Sequence, residues 1–144
     1  MYIDDRLEFC DATAAAGTGV SQIIGDVVNL VGTTQDIGNG DQMYLVIQVT
    51  TAYASAGTSI EFQLRSSTLE ALTGGTTTTH LSSGALATGS GIAAGTTYIY
   101  ALPWATYQKF MGLWMVTVGA VASGAINAFL THDPSKWVAT PDGI

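Results

Sequence analysis

Two runs of sequence decide the fold class of this chain, Asp41-Gln-Met-Tyr-Leu-Val-Ile-Gln-Val-Thr50 and Thr58-Ser-Ile-Glu-Phe-Gln-Leu-Arg-Ser-Ser67. In both runs apolar side chains recur at every second position. Those positions are Met43, Leu45, Ile47, Val49, Ile60, Phe62 and Leu64. A period of two is typical of a strand that buries one face against a core and keeps the other face wetter. The small residues and the glycine of Ala52–Gly57 predict that the two runs form a hairpin.

Length and composition predict one domain, residues 1–144, built from strands. Hydrophobic residues make up 47% of the chain and charged residues only 10%, whereas about 25% of the residues in an ordinary soluble domain are charged. Low charge combined with many Gly, Thr and Ser residues favours short strands joined by turns. A weakly charged exterior is also easier to explain when other chains cover much of it.

Charge and hydropathy exclude several classes of partner. Eleven acidic residues against four basic ones give a net charge of −7, which repels phosphate backbones, so we expect no nucleic acid partner. The longest apolar run, Met111–Ala122, is far shorter than the about 20 residues that span a bilayer, so we expect no membrane partner. The single Cys10 excludes an internal disulfide and suits a reducing cytoplasm. The start Met1–Arg6 lacks the pattern of a secretory signal, and we expect none.

The remaining strands follow from the same alternation and from turn residues. We predict a strand over Val20–Leu30 with a kink or bulge at Gly25, and a Thr-rich strand that ends at Ser82. Further strands are predicted over Thr96–Leu102, Phe110–Val118 and Ala125–Thr131, the last two as a second hairpin. Seven or eight short strands with Gly-rich turns indicate an all-β fold. We expect an antiparallel two-sheet sandwich of jelly-roll-like type.

The two ends of the chain differ from the predicted core, residues 20–131. Residues 1–19 combine an apolar and charged segment with a small-residue tether, which predicts either an arm on a neighbouring surface or an edge strand. Residues 132–144 contain two prolines and are predicted to form an extended C-terminal arm. Trp137 in that arm requires burial, either in a groove of its own domain or on another chain, and we favour the neighbouring chain.

Few side chains in this sequence are suited to catalysis. The two histidines are His80, which has no carboxylate or cysteine at ligand spacing, and His132, whose neighbour Asp133 points away on an extended chain. No nucleophile-elbow, zinc-protease or phosphate-loop motif occurs. We therefore expect no enzyme, with no catalytic residues, no cofactor and no metal site.

Several short pieces, in order and at similar spacing, resemble a known family over residues 1–131. They are Met1-Tyr-Ile-Asp4 with Leu7-Glu8 and Asp11-Ala12, Asp36–Gly40 running into Met43–Val49, Leu102-Pro103, Thr106-Tyr107, Phe110 and Leu113. These pieces resemble the capsid cement, or decoration, proteins of short-tailed bacteriophages, specifically the small jelly-roll kind. Trp104 and Cys10 are not features of that family, and the tail beyond His132 matches less clearly.

The resemblance implies a structural virion protein on the outer surface of a capsid, made in the host cytoplasm. Its implied partners are the major capsid protein and further copies of itself, as a dimer or other small homo-oligomer. It would bridge neighbouring capsid subunits and stabilise the shell. We expect the contacts with the capsid or within the oligomer at Tyr2, Ile3, Arg6, Leu7, Trp104, Trp137 and Val138.

A carbohydrate-binding or adhesin-like sandwich is the competing hypothesis. Its sugar platform would be an exposed aromatic side chain, and the candidates are Trp104, Tyr98, Tyr100 and Trp114. Core packing is the plainer explanation for aromatic residues within strands, and it applies more strongly to Trp114 than to Trp104.

Overall fold

The computed structural model describes residues 7–30, 42–54 and 59–134, and strands dominate these ranges. The strands are β1 Glu8–Ala14, β2 Gly17–Thr18, β3 Ser21–Asn29, β4 Tyr44–Thr51, β5 Ser59–Ser67, β6 Thr78–Ser82, β7 Leu86–Ala87, β8 Thr97–Ala101, β9 Phe110–Val118, β10 Ala120–Val121 and β11 Ala125–Thr131. No helix within these ranges has the length and apolar character needed to cross a membrane.

The strands form two antiparallel sheets that pack face to face. The four-stranded sheet has the order β1-β11-β4-β8, and the five-stranded sheet has the order β3-β9-β5-β6 with β7 also paired to β5. The short strands β2 and β10 pair with each other. Leu45 and Ile47 from the first sheet and Leu64 and Leu113 from the second lie fully buried in the core between the sheets. The predicted all-β sandwich is therefore confirmed, and the strand order is that of a jelly roll.

Both predicted hairpins are wrong. Strand β4 pairs with β11 and β8, whereas β5 pairs with β9, β6 and β7 in the opposite sheet. Strands β9 and β11 are likewise in different sheets. The apolar face of a strand is buried equally well whether the next strand of the chain lies beside it in the same sheet or faces it from the other sheet. Periodicity therefore identified the strands but not the crossing between sheets, which are about 10 Å apart.

The described part of the predicted N-terminal arm is an edge strand. Strand β1 pairs with β11, with Glu8 opposite Phe129 and Ala14 opposite Ala125. Phe9 is fully buried in the core, and Leu7 is half-buried against it. Of the two interpretations of residues 1–19, the edge strand is therefore the one observed for residues 8–14. Residues 1–6 lie outside the described residues.

Gly25 forms the bulge that the sequence predicted in the first core strand. The register of β3 against β9 shifts between Ile24 and Val27, and Gly25 has a φ of 74°. A Cβ at this position would collide with the backbone oxygen of Phe9 and lie 2.7 Å from the Cβ of Cys10. The bulge therefore brings the backbone of β3 against β1 and closes that side of the sandwich.

We predict that Gly25→Ala destabilises the protein by about 3 kcal/mol or more, because left-handed strain adds to a backbone collision. Gly84→Ala is the matched control, since Gly84 has a φ of 69° and a Cβ added there would meet nothing within 4 Å. The control should lose only about 1 kcal/mol. Urea unfolding measures both values, and equal losses would contradict the close approach of β3 to β1.

Candidate functional site

One end of the sandwich gathers several long connections, and we call it the Trp104 end. It comprises Leu7, Leu30, Gln42, the Leu102–Lys109 loop and residues 132–134. The pairing of Tyr44 with both Thr131 and Ala101 brings together the start of β4 and the ends of β11 and β8. The pairing of Asn29 with Phe110, together with a bond from the Leu30 N–H to the Lys109 oxygen (2.8 Å), adds the end of β3 and the start of β9. His132 Nδ1 lies 3.3 Å from the Gln42 oxygen.

Trp104 is the most exposed of the large hydrophobic side chains in the described ranges. Its exposed fraction is 78%, against 55% for Val118 and 54% for Leu69. It lies in the Leu102–Lys109 loop, which crosses from β8 in one sheet to β9 in the other. The predicted contact residue Trp104 therefore presents its ring to solvent instead of packing in the core.

The loop that carries Trp104 is fixed at both ends by hydrogen bonds. At its start, the Leu102 N–H donates to the Met43 oxygen (2.9 Å), and Gln42 Nε2 donates to the Leu102 oxygen (2.8 Å). The Tyr107 hydroxyl donates back to the Pro103 oxygen (2.7 Å). At its end, the Gln108 N–H donates to Ser66 Oγ at 3.1 Å. A loop ordered in this way presents an exposed ring with little further cost of ordering the loop on binding.

A partly buried polar cluster at the base of this loop joins it to the five-stranded sheet. Ser66 Oγ on β5 lies 2.6 Å from His80 Nε2 on β6, and the His80 ring lies against the Tyr107 ring with centroids 4.4 Å apart. Because Ser66 Oγ accepts the Gln108 N–H, its own hydrogen is free to donate to Nε2 of a neutral His80. Burial lowers the pKa of His80, which favours that neutral form.

The Ser66–His80 pair has the distance of a nucleophile and a base but not the surroundings. Ser66 is fully buried, so its hydroxyl is not accessible to a substrate. Within the part of the chain that the structure describes, no carboxylate bonds to His80 to orient the ring. The pair therefore has a structural role: its hydrogen bonds link β5 to β6 and to the Trp104 loop. Sequence reasoning missed it because the two residues come together only when β5 pairs with β6, near the register shift between Leu64 and Arg65.

The other proposed sugar-platform aromatics are largely covered. Trp114 has an exposed fraction of 7%; its Nε1 donates to Ser21 Oγ (2.9 Å), and the Arg65 guanidinium carbon lies 4.3 Å from its ring centroid. Tyr98 and Tyr100 are half-buried against the core and stack on each other with centroids 6.5 Å apart. Trp104 is therefore the candidate whose ring faces remain open.

The outer face of the five-stranded sheet carries a continuous polar ladder along β5. Glu61 Oε1 accepts bonds from Ser82 Oγ (2.6 Å) and Gln63 Nε2 (2.7 Å), and Gln63 Oε1 accepts one from Arg65 Nε (2.9 Å). The bonds from Ser82 and Gln63 lower the pKa of Glu61. The sequence predicted this wetter face, but not that Arg65 would cover Trp114. No group of three or more metal-ligating side chains occurs in the described ranges.

The predicted contact residues divide into two groups. Trp104 is exposed at the Trp104 end, and Leu7 is half-buried there against the core. The others, Tyr2, Ile3, Arg6, Trp137 and Val138, lie outside the described residues, in the segments that adjoin Leu7 and Pro134. The part these segments play in binding therefore stays a prediction.

We predict that the free energy of unfolding falls as the pH drops from about 7 to about 5. The folded-state pKa of His80 lies below its ordinary value, so the unfolded chain binds more protons in that window and acid favours unfolding. The lowered pKa of Glu61 also makes acid favour unfolding. It does so at lower pH than His80, because the ordinary pKa of a carboxyl group lies below that of histidine.

Urea unfolding at each pH measures this dependence. His80→Gln should flatten it, whereas His132→Gln, which leaves His80 in place, should retain it. An unchanged slope in the His80 variant would show that the ring is not held neutral by its buried site.

Comparison with known proteins places the chain in a family. No curated protein matches it. The model of the Bbp16 family matches residues 9–130. The name of this family is of the bacteriophage type. That range runs from the edge strand β1 to the last strand, β11, and covers more than four fifths of the chain. The chain therefore belongs to the Bbp16 family.

Proposed function

We propose that this protein is a structural virion protein that binds the outer surface of a phage capsid and bridges major capsid subunits to stabilise the shell. The observation that carries this proposal is Trp104, which is 78% exposed on a hydrogen-bonded loop at the end of the sandwich that also contains Leu7 and residues 132–134. The bacteriophage-type family name and the resemblance to capsid cement proteins support the same role.

An exposed tryptophan on an ordered loop suits a contact with another protein. Tryptophan is enriched among the residues that dominate binding energy, and its truncation in such positions costs about 2 kcal/mol or more. The bonds of Tyr107 and Gln108 already hold the loop, so little of that energy is spent on ordering it. In this role Trp104 inserts into an apolar pocket of a neighbouring subunit.

To bridge capsid subunits, one oligomer of this protein must make several contacts with the shell. The proposed partners are the major capsid protein and a second copy of this chain, in a dimer or other small homo-oligomer. Tyr2, Ile3, Arg6, Leu7, Trp137 and Val138 are the further proposed contacts. Once one contact forms, the others become effectively intramolecular, so modest interfaces sum to durable attachment. The proposed location is the capsid exterior, after synthesis in the host cytoplasm.

The proposed role is structural and involves neither catalysis nor nucleic acid. Among the described residues, the nearest likeness to a catalytic pair is Ser66 with His80, and the Ser66 side chain is fully buried. The net charge of −7 disfavours contact with packaged nucleic acid or with anionic membranes. Both features agree with a protein whose work is done by its outer contacts.

We predict that Trp104→Ala weakens binding to capsid shells by about 30-fold or more, the equivalent of about 2 kcal/mol. Val118→Ala is the matched control, because Val118 is exposed on β9 at the opposite end of the sandwich. Co-sedimentation with purified empty shells that lack this protein measures both affinities. Wild-type occupancy by the Trp104 variant would contradict the proposed anchor.

A carbohydrate-binding role is the second candidate, and the open ring of Trp104 is the observation that favours it. A ring with exposed faces stacks on a sugar as readily as it enters a protein pocket. A glycan-binding screen beside the shell assay separates the two. Binding of a glycan that is lost in Trp104→Ala, with no binding to shells by the wild type, would replace the capsid proposal.

A further inference from the structure

The described sheets end at the strands β1, β8, β3 and β6, and three of these edges carry features that hinder pairing with a further strand. Strand β1 has two register shifts against β11 and contains the charged residues Glu8 and Asp11. Strand β3 has the bulge at Gly25. The register of β6 against β5 shifts between Leu64 and Arg65. Bulges and charges of this kind protect a sheet edge against pairing with another chain.

Strand β8 is the edge without such protection. Its five residues, Thr97–Ala101, pair with β4 in one unbroken register and include neither a charged residue nor a proline. None of them has a positive φ. Ala101 is exposed, and the exposed fraction of Ile99 is 44%. A regular, uncharged and exposed edge strand is a template for pairing with another strand.

The backbone of β8 directs hydrogen-bonding groups away from its own sheet. At one end of the ladder the Leu102 N–H donates to the Met43 oxygen (2.9 Å), and at the other end the Val49 N–H donates to the Thr96 oxygen (2.8 Å). Because bonded and non-bonded pairs alternate along antiparallel strands, every second residue between these two points turns its N–H and C=O groups away from β4. These residues are Thr97, Ile99 and Ala101. No other strand in the described ranges pairs with this edge.

An apolar row on the outer face of the four-stranded sheet ends at the same edge. Phe129 on β11, Val46 on β4 and Ile99 on β8 lie side by side in register. Their row is on the face opposite the core residue Leu45. Phe129 and Val46 are buried, whereas Ile99 is partly open to solvent. A strand added beside β8 with an apolar residue opposite Ile99 would extend this row and cover Ile99.

We propose that β8 pairs with β8 of a second copy of this chain, antiparallel and centred on Ile99, so that the two four-stranded sheets join into one. The inference rests on the small homo-oligomer of the proposed function and names its interface. In this register Ile99 lies opposite Ile99 of the second copy, and Thr97 lies opposite Ala101. All the backbone groups that point away from β4 are then bonded, and no charged side chain enters the pairing.

The symmetry of the edge favours a second copy of this chain as the partner. A two-fold interface requires a surface that is complementary to itself. The outward groups of β8 are evenly placed on either side of Ile99, so they meet this requirement. Tyr98 and Tyr100, which are half-buried against the core, would lie opposite each other across the two copies, and aromatic cross-strand pairs stabilise neighbouring strands. The inference thus assigns the contact within the oligomer to β8 and leaves Trp104 as the contact with the shell.

The oligomeric state of the free protein tests this pairing. Sedimentation equilibrium should show a monomer–dimer equilibrium for the wild type. Ile99→Lys should raise the Kd of the dimer by about 100-fold or more, because it places like charges opposite each other and removes two apolar side chains from the interface. Val118→Lys is the matched control, since it makes the same charge change at an exposed valine in the other sheet, and its Kd should stay close to that of the wild type.

Three outcomes of this measurement would overturn the inference. They are a wild type that stays monomeric at every concentration, a closed trimer in place of the dimer, and a dimer whose Kd is the same in Ile99→Lys. In the first case the β8 edge would be left for a strand of another protein.

Cross-linking keeps the test decisive if Ile99→Lys fails to fold. Directly opposite residues of a bonded antiparallel pair have Cα atoms about 5.5 Å apart, which is within reach of a disulfide. Ile99→Cys should therefore form a covalent dimer under mild oxidation, whereas Val118→Cys should remain mostly monomeric. The native Cys10 is buried in the fold. Equal cross-linking of the two variants, or none in Ile99→Cys, would exclude the pairing centred on Ile99.

Neither measurement uses capsid shells, so the two proposals can fail separately. A dimer through β8 that does not bind shells contradicts the capsid role alone. A monomer that binds shells contradicts the β8 pairing alone.

Discussion

The structure depends on burying the apolar faces of β4 and β11 against those of β5 and β9. Each fully buried aliphatic or aromatic side chain in that layer contributes about 1.5–3 kcal/mol relative to exposure. Leu45 on β4 and Leu64 on β5 are both fully buried, although seven residues separate their strands. Because the chain alternates between sheets to achieve this, its connections must cross at one of the two ends of the sandwich. One of these crossings, the Leu102–Lys109 loop, lies at the Trp104 end and carries the exposed ring of Trp104.

The low charge of the chain is explained by the contacts among polar side chains on the outer face of the five-stranded sheet. On the five-stranded sheet, Arg65 covers the ring of Trp114 and bonds to Gln63, while Glu61 is bonded to Ser82. These side chains satisfy one another across neighbouring strands, so the face needs few mobile charges to stay wettable. Leu72 fills the space above Gly112 on the same face. The outer face of the five-stranded sheet therefore carries a further layer of packing, apolar at Leu72 and polar along β5.

Local patterns predicted the strands well and their partners poorly. The limits of β9 and β11 agree with prediction because a continuous apolar run in β9, alternation in β11 and the flanking glycines are all local signals. The pairing of β4 with β11 was not predictable, because the apolar face of β4 gives no information about which strand lies beside it. Pro103, which cannot donate to a ladder, follows the predicted strand Thr96–Leu102, and this local signal places Trp104 in a loop. The Ser66–His80 bond was missed, since it depends on a register set by the whole five-stranded sheet.

An exposed tryptophan on a fixed loop favours nonspecific association of the free protein, and the net charge of the chain opposes it. The ring of Trp104 would favour self-association in a neutral protein. A net charge of −7 on 144 residues opposes nonspecific association between like-charged proteins at long range. At short range, a partner with a matching pocket recovers the energy of burying the ring, while the bonds at Tyr107 and Gln108 spare it the cost of ordering the loop. Under the proposed function, the fixed loop and the net charge thus act together: the loop holds Trp104 in place for the proposed partner, and the charge opposes nonspecific contacts.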